Sequence, residues 1–448
     1  MRIAFFVHRF PALSETFILN QITGLLDHGH QVMVFSEWGA EGSVVHPDVE
    51  AYRLMDRVVR VSDGAQRLGE LAWTRSLALR APGTFLRMRR KGAGGHGGRR
   101  PLGRKLAILA RSGFVPDVVH AHFGDVALRS RFATLLWPVP FVASFYGHDA
   151  SRVPLRDGAD VYEPLHSTAQ RVTVLSGEMR RRLVDLGFPD HRVREHRIGV
   201  DPDRFPFRER RKDPGADTIE LLTVARLVEK KGVDYALRAL APLAERFRFR
   251  YRIIGDGPLR GALEERSRGL GLEERVEFMG SATQDRVRAA IDEADLFLLP
   301  SVTAADGDRE GTPTVLMEAS ASGLPVVATH HAGIPEVVLD GVTGALVPER
   351  DVEALTRALE DTFAAPGVWP FLGRRGREHI VRRYNIRRLA PGLVELYREL
   401  LAGAPVGASP NGAHGSSRPT TLLAEGDQPS TPPAREGHEK DAGRGRGG

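Results

Sequence analysis

The chain has 448 residues, 42% hydrophobic and 27% charged, ordinary proportions for a soluble globular protein and enough for two cores of about 150 to 200 residues plus extras. It contains no cysteine, which excludes a disulfide framework, a thiol nucleophile and any thiolate metal site, and which suits an intracellular home. The formal net charge of +6 leaves phosphorylated small molecules, anionic lipid and nucleic acid open as partners. In chain order, the opening MRIAFFVHRF is too short in its apolar run for a signal peptide, and ATLLWPVPFVASFY, the longest candidate span, is broken by Pro138 and Pro140, so no membrane-spanning segment is expected.

The first half presents strand-like runs separated by helix-length segments: RIAFFVH, QVMVFS, RVVRVS, VVHAHF, FVASFY and RVTVLS. They are short and close to continuously apolar, as parallel strands buried on both faces are. The loop after the first run, from Phe10 to Phe17, contains Ser14 and Glu15 and enters a capped helix, so it should border a cleft at the strand ends. From Ala65 to Ser112 there are twelve Arg or Lys against one acid, Glu70. Leucines, Trp73, Phe85 and Met88 interleave with those cations, a pattern that fits either a solvated insertion or a segment lying on anionic lipid headgroups. No standard nucleic-acid module appears. His120 and His122 are one i, i+2 pair without an evident third ligand, and they read as packing residues. His148, just past the run FVASFY, should stand at a strand tip facing the cleft.

A polar, proline-containing passage at 201–217 reads as a linker, after which ELLTVA, YRIIG, VEFMG, LFLLP and PVVAT repeat the α/β pattern. Each half is thus a doubly wound α/β domain, and ligands are expected between them at the carboxyl ends of the strands. ELLTVA ends in ARLVEKKG, which puts Arg226 and Lys231 at such an edge, where they would offset a diphosphate. Gly255 and Gly257 form a tight strand-to-helix turn, with Arg260 and Pro258 spoiling a dinucleotide fingerprint. Asp306 and Asp308 offer two carboxylates in a loop, but neighbouring cations would do a metal's work, so no metal is expected.

The most informative stretch is DREGTPTVLMEASASG, residues 308–323. Thr312 suits a helix N-cap, Pro313 the first helical position and Gly323 a stop, predicting a helix over 313–322. Glu310 then sits in a loop and Glu318 on the helix, about 7 to 8 Å along its axis. Between them the backbone around Gly311, with the free amides of Thr312, Thr314 and Val315, forms an anion site at the positive end of the helix. Acid, phosphate cradle and second acid match the order of a sugar nucleotide: hexose, diphosphate, ribose.

EGTPTVLMEASASGLPVVATHHAGIPEVVLDGVTGALVP, residues 310–347, resembles the donor-binding region of family 4 retaining glycosyltransferases of GT-B fold, including their E-x7-E element. ARLVEKKG and IIGDGP match as well. FPALSETFILNQITGLLDHGH and VVHAHFG are similar to the branch that includes colanic-acid and exopolysaccharide glycosyltransferases. The resemblance implies two Rossmann-like domains facing across a cleft: 1–200 for the acceptor, with the basic insertion at 65–112, and 201–374 for the nucleotide sugar. The last helical stretch, 375–402, is spare to the second sheet and would cross back to the first domain, and 403–448, rich in Gly, Pro and Ser and outside the resemblance, reads as a disordered tail. The resemblance further implies transfer of a hexose from a UDP- or GDP-sugar to a saccharide or lipid-linked acceptor, with retention and no cofactor; the lack of cysteine and the basic 65–112 segment suggest a cytoplasmic location at an anionic membrane face. By position Glu318 would hold the ribose, the amides with Gly255, Gly257, Arg226 and Lys231 the diphosphate, and Glu310 the hexose. Ser14 and Glu15 fall on the acceptor side, and His148, with Glu310, Arg226 and Lys231, is a catalytic candidate. Many relatives carry His-Gly-x-Asp where this chain reads Tyr146-Gly147-His148-Asp149. A GT-B epimerase or phosphorylase and a non-enzymatic assembly scaffold share the architecture, but a phosphorylase would need a cofactor lysine and a scaffold would show a degraded anion site.

Overall fold

In the computed structural model the described residues are 1–12, 15–39, 46–61, 78–79, 99–212 and 218–403. Ser14, most of the basic insertion, the end of the linker and the tail from 404 lie outside them.

Two all-parallel sheets organise the chain. The first contains β1 (Arg2–Arg9), β2 (Gln31–Trp38), β3 (Val58–Arg60), β4 (Val118–His122), β5 (Phe141–Ser144), β6 (Arg171–Val174) and β7 (Val193–Glu195), in the order β3-β2-β1-β4-β5-β6-β7. The second contains β8 (Ile219–Val224), β9 (Phe249–Ile254), β10 (Val276–Gly280), β11 (Leu296–Leu299), β12 (Val326–Thr329) and β13 (Gly344–Val347), in the order β10-β9-β8-β11-β12-β13. Every residue of β4, β5, β11 and β12 is buried, because helices cover both faces; this is why the sequence shows unbroken apolar runs rather than alternation. Strand order reverses between β1 and β4 and again between β8 and β11, with Ile3 opposite Val118 and Leu296 opposite Leu221. Loops leaving those strands diverge to opposite faces and open a crevice at the carboxyl ends. Both sheets belong to one compact unit, Met1–Val406.

The helix expected over 375–402 is instead two, Trp369–Arg383 and Ile386–Leu401, so the expected boundary at 374 falls inside the first of them. The break has a local cause. Asn385 leaves helical geometry, its side chain accepts the Arg387 N–H as an N-cap, and Ile386 N–H donates to the Val200 carbonyl. Val200 N–H in turn donates to the Tyr384 carbonyl, so the passage between the two sheets and the passage between these helices are stitched together. The second helix carries Tyr397 to the first sheet, where its hydroxyl lies 2.6 Å from His120 Nδ1, and Glu399 to within 3.4 Å of Arg171.

Candidate active site

The loop from β11 to the helix Thr314–Ala321 forms one wall. The helix begins one residue later than the sequence predicts: Pro313 is the N-cap, with extended backbone (φ −65°, ψ 116°), and Thr312 lies outside. Thr312 is buried with its Oγ1 unpaired among the described residues. Its hydroxyl lies against Gly333, where an added Cβ would come within 2.8 Å of it, and it does not cap the helix. The first-turn amides of Thr314 and Val315 have no carbonyl one turn back and are left for a ligand. Gly311 is required by packing, since a side chain there would run into the Tyr146 carbonyl of the first domain.

Glu310 is 7% exposed, with one carboxylate oxygen 2.7 Å from Lys231 Nζ and 3.4 Å from the Ser301 hydroxyl. Burial alone would raise its pKa, but Lys231 and Lys230 outweigh burial and hold the carboxyl below the usual range. Its own N–H donates to His331 Nε2 at 3.0 Å, and His331 Nδ1 lies 2.7 Å from Glu349 Oε1. The accepting Nε2 places the ring proton on Nδ1, a neutral tautomer, consistent with burial lowering the His331 pKa. Glu349 also accepts the Thr303 N–H at 2.7 Å. The first acid is thus an ionised carboxylate on a backbone fixed by a second row of residues.

Glu318 differs. It is also 7% exposed, its carboxylate has no hydrogen-bond or ion-pair partner among the described residues, and burial pushes its pKa up to about 7, opposed only by Arg288. Buried carboxylates are normally paired, so an unpaired one near a free helix start is a candidate binding group.

Of the cations the sequence singled out, Lys231 is committed to Glu310, whereas Arg226 is exposed and its side chain has no partner among the described residues. Gly255 and Gly257 serve packing: side chains there would collide with the Ala225 and Leu227 carbonyls, so the turn could not lie against the Arg226 loop. Asp308 lies 3.0 Å from Lys230, and Asp306 3.0 Å from Arg152 of the first domain. Both are engaged by cations.

Across the crevice, β5 runs into Tyr146-Gly147-His148-Asp149. The Asp149 carboxylate accepts the N–H groups of Tyr146 at 2.9 Å, Gly147 at 2.8 Å and Gly124 at 2.9 Å. This fixes a turn in which Gly147 has φ 146°, where a Cβ would come within 2.8 Å of Gly311 N. His148 is half-buried, its ring 5.2 Å from that of Phe123. Glu15 is half-buried at the N-cap of the helix Thr16–Asp27. His120 and His122 lie in the core: His120 Nε2 is 2.6 Å from Ser144 Oγ, and His122 Nδ1 is 2.7 Å from the Tyr146 hydroxyl. Sequence reasoning missed the residues joining the walls: Arg309 lies 3.1 Å from Glu178, and Glu336 meets Gly177 and Arg197. The GIPE run holding Glu336 was visible, but its partners lie more than a hundred residues away.

Two Rossmann-like domains facing across a crevice, with a free helix start between two buried acids, define a GT-B class of protein. Residues 14–204 match the family model described as Glycosyltransferase Family 4, and 218–364 match that described as Glycosyl transferases group 1. A protein of Salmonella typhimurium named as a colanic acid biosynthesis glycosyltransferase, WcaL, is 36% identical over 89% of this chain and 100% of its own length. The amylovoran biosynthesis glycosyltransferase AmsK of Erwinia amylovora is 34% identical over 80% of this chain and 90% of its own. Among solved structures, Anabaena HepE in complex with UDP-glucose superposes with a TM-score of 0.67 at 18% identity, covering 89% of this chain and 100% of that one. The chain belongs to the family 4, group 1 glycosyltransferases, in the branch of the colanic-acid and amylovoran enzymes.

Proposed function

We propose that the protein moves a hexose from a UDP- or GDP-sugar to a saccharide or lipid-linked acceptor during synthesis of an exopolysaccharide or related cell-surface glycan, with retention at the anomeric carbon and without a metal. The observation that carries this reading is the unpaired, buried carboxylate of Glu318 set behind the first-turn amides, with the ionised Glu310–Lys231 pair on their other side. Glu318 accepts the ribose hydroxyls, the 312–315 backbone with Arg226 takes the diphosphate, and Glu310 takes hexose hydroxyls. The naming of WcaL and AmsK for exopolysaccharide synthesis supports the pathway, and the UDP-glucose bound by HepE supports the donor class.

Glu310 is already held by Lys231 and Ser301, and we assign no carboxylate to the far face of the sugar. The reading therefore takes front-face attack. The acceptor oxygen bonds to the anomeric carbon on the side from which the diphosphate leaves, and the acceptor's proton passes to the departing phosphate oxygen. Lys231 and Arg226 supply positive charge as that oxygen becomes negative.

Incubation with UDP-, GDP- and ADP-hexoses in EDTA, with product linkage read by NMR, tests this. An α-linked product from an α-donor is expected. An inverted linkage overturns retention, and activity lost to EDTA and restored by Mn²⁺ overturns metal independence in favour of Asp306 and Asp308.

A peripheral site on the cytoplasmic face of an anionic membrane fits the twelve cations of residues 65–112. No helix among the described residues is long and apolar enough to cross a membrane. The helix Arg99–Arg111 within that segment buries Leu106, Ala107 and Leu109 in the protein. Cations rather than this helix's apolar face would therefore meet lipid.

A further inference from the structure

Glu336 lies outside the two acids and the anion site, yet it joins three parts of the molecule. One carboxylate oxygen accepts the N–H of Gly177, first residue of the helix Gly177–Asp185 in the acceptor domain, at 2.9 Å. The other lies 3.2 Å from Arg197 on the same domain. Its backbone carbonyl accepts the Tyr384 hydroxyl at 2.7 Å and lies 2.9 Å from His379 Nε2, both on the segment that returns to Val200 between the domains. Three residues earlier, Gly333 N–H donates to the Gly311 carbonyl, and a side chain at Gly333 would strike that carbonyl and Thr312 Oγ1. The residue that grips the acceptor domain is therefore on the short helix, Ile334–Val337, whose N-cap Gly333 backs the diphosphate cradle.

We propose that Glu336 is a positioning residue that couples the donor cradle to docking of the acceptor domain, by capping the 177–185 helix from across the crevice. Ser176 already accepts the Met179 N–H as that helix's own cap, so Gly177 N–H is the amide left for a partner on the other domain. When the cradle is set, Glu336 holds Gly177 and Arg197, and the 146–149 turn is kept against Gly311. The proposal rests on the transferase reading of this crevice and adds the means by which its walls are registered.

Because the chain has no cysteine, spin labels at Arg131→Cys and Arg357→Cys, exposed positions on the two domains, report their separation without background. The unmutated latch should give one narrow distance population, with and without UDP. Glu336→Ala should broaden and lengthen it, and Glu336→Gln, which still accepts the Gly177 N–H, should restore part of the closed population. Gly177→Pro attacks the contact from the other side: it deletes the N–H at a first helical position that tolerates proline, and should open the domains as Glu336→Ala does. In transfer assays both disruptive variants should lose about 10- to 100-fold in kcat/KM for acceptor, the scale of a hydrogen bond to a charged group, with UDP affinity within about threefold of the parent. Unchanged distance distributions in Glu336→Ala and Gly177→Pro overturn the proposal, as does an equal loss of UDP affinity. A parent that binds neither UDP nor GDP counts against the donor reading, while the distance comparison still decides the latch.

Discussion

The two walls of the crevice handle buried polarity differently. On the acceptor side most polar groups at the strand ends are spent on one another: Asp149 takes three backbone amides, and His120 uses both ring nitrogens, on Tyr397 and Ser144, although His122 Nε2 and Gln21 Oε1 are buried without a partner among the described residues. On the donor side the Thr312 hydroxyl, the Glu318 carboxylate and the exposed Arg226 side chain have no partner among the described residues. A buried polar group without a partner destabilises the fold by roughly 1 to 3 kcal/mol. A ligand can offset such a cost, so the unpaired Glu318 and Thr312 are candidates for the binding surface, and the paired groups for its rigid support. Glu310 is intermediate, ionised and paired with Lys231, yet on the loop that meets the other wall.

The contrast breaks most sharply at Lys231. Lys231→Ala removes a cation from the developing diphosphate charge and leaves the buried Glu310 without its ion-pair partner. Turnover should fall about 10²- to 10³-fold, and the fold should lose about 3 kcal/mol. Steady-state rates and thermal melts check both, and a variant within threefold of the parent rate takes Lys231 out of the reaction. Arg226→Ala has no internal partner to orphan, so it should cost turnover on a scale of about 10²-fold with no change in melting temperature. A drop in stability would show that Arg226 is a support residue.

Glu318 sharpens the comparison through pH. Folded and ligand-free, it keeps its proton up to about pH 7, whereas the unfolded chain releases it near the ordinary carboxylate value of about 4.3. The unliganded fold therefore loses stability from this group as pH rises between those values. Nucleotide favours the ionised carboxylate, so its affinity should strengthen as pH rises through 7 and become flat in Glu318→Gln. Titration calorimetry from pH 6 to 8 reads this, and a pH slope surviving in the Gln variant assigns it elsewhere.

The smallest effect concerns the surface. Each cation near an anionic membrane contributes up to about 1 kcal/mol, screened beyond roughly 8 to 10 Å at physiological salt. Co-sedimentation with anionic but not neutral liposomes is expected, reversed by salt and abolished by changing Arg87, Arg89, Arg90 and Lys91 to Ser, with donor turnover in solution unchanged. Indifference of the parent to anionic liposomes at low salt would leave residues 65–112 a solvated insertion.

The donor wall was largely legible because its signals are local. Pro313 and Gly323 bracket the helix, and Glu310 and Glu318 fall on either side of its start. The one-residue error at Thr312 arose because a threonine before a proline looks like a cap, while here the hydroxyl is turned towards Gly333. The acceptor wall was less legible: His148 reads as a strand-tip residue, but the turn that places it depends on Asp149 reaching back to Gly124. The latch was illegible, since Glu336 and Gly177 are brought together only by the stacking of two domains. The break at Asn385 could have been read from the capping preference of asparagine, but the continuous apolar periodicity around it hid the signal.

The division of labour between the two acids is most directly tested by titrating free UDP and GDP into the parent, Glu318→Ala and Glu310→Gln by calorimetry, with turnover measured on the same samples. Glu318→Ala should weaken the bound nucleotide by about 1.5 to 3 kcal/mol, the range for hydrogen bonds to a charged group. Glu310→Gln should bind it nearly as the parent does while turning over far more slowly. Equal loss of nucleotide affinity in both variants, or unchanged affinity in Glu318→Ala, would contradict the assignment.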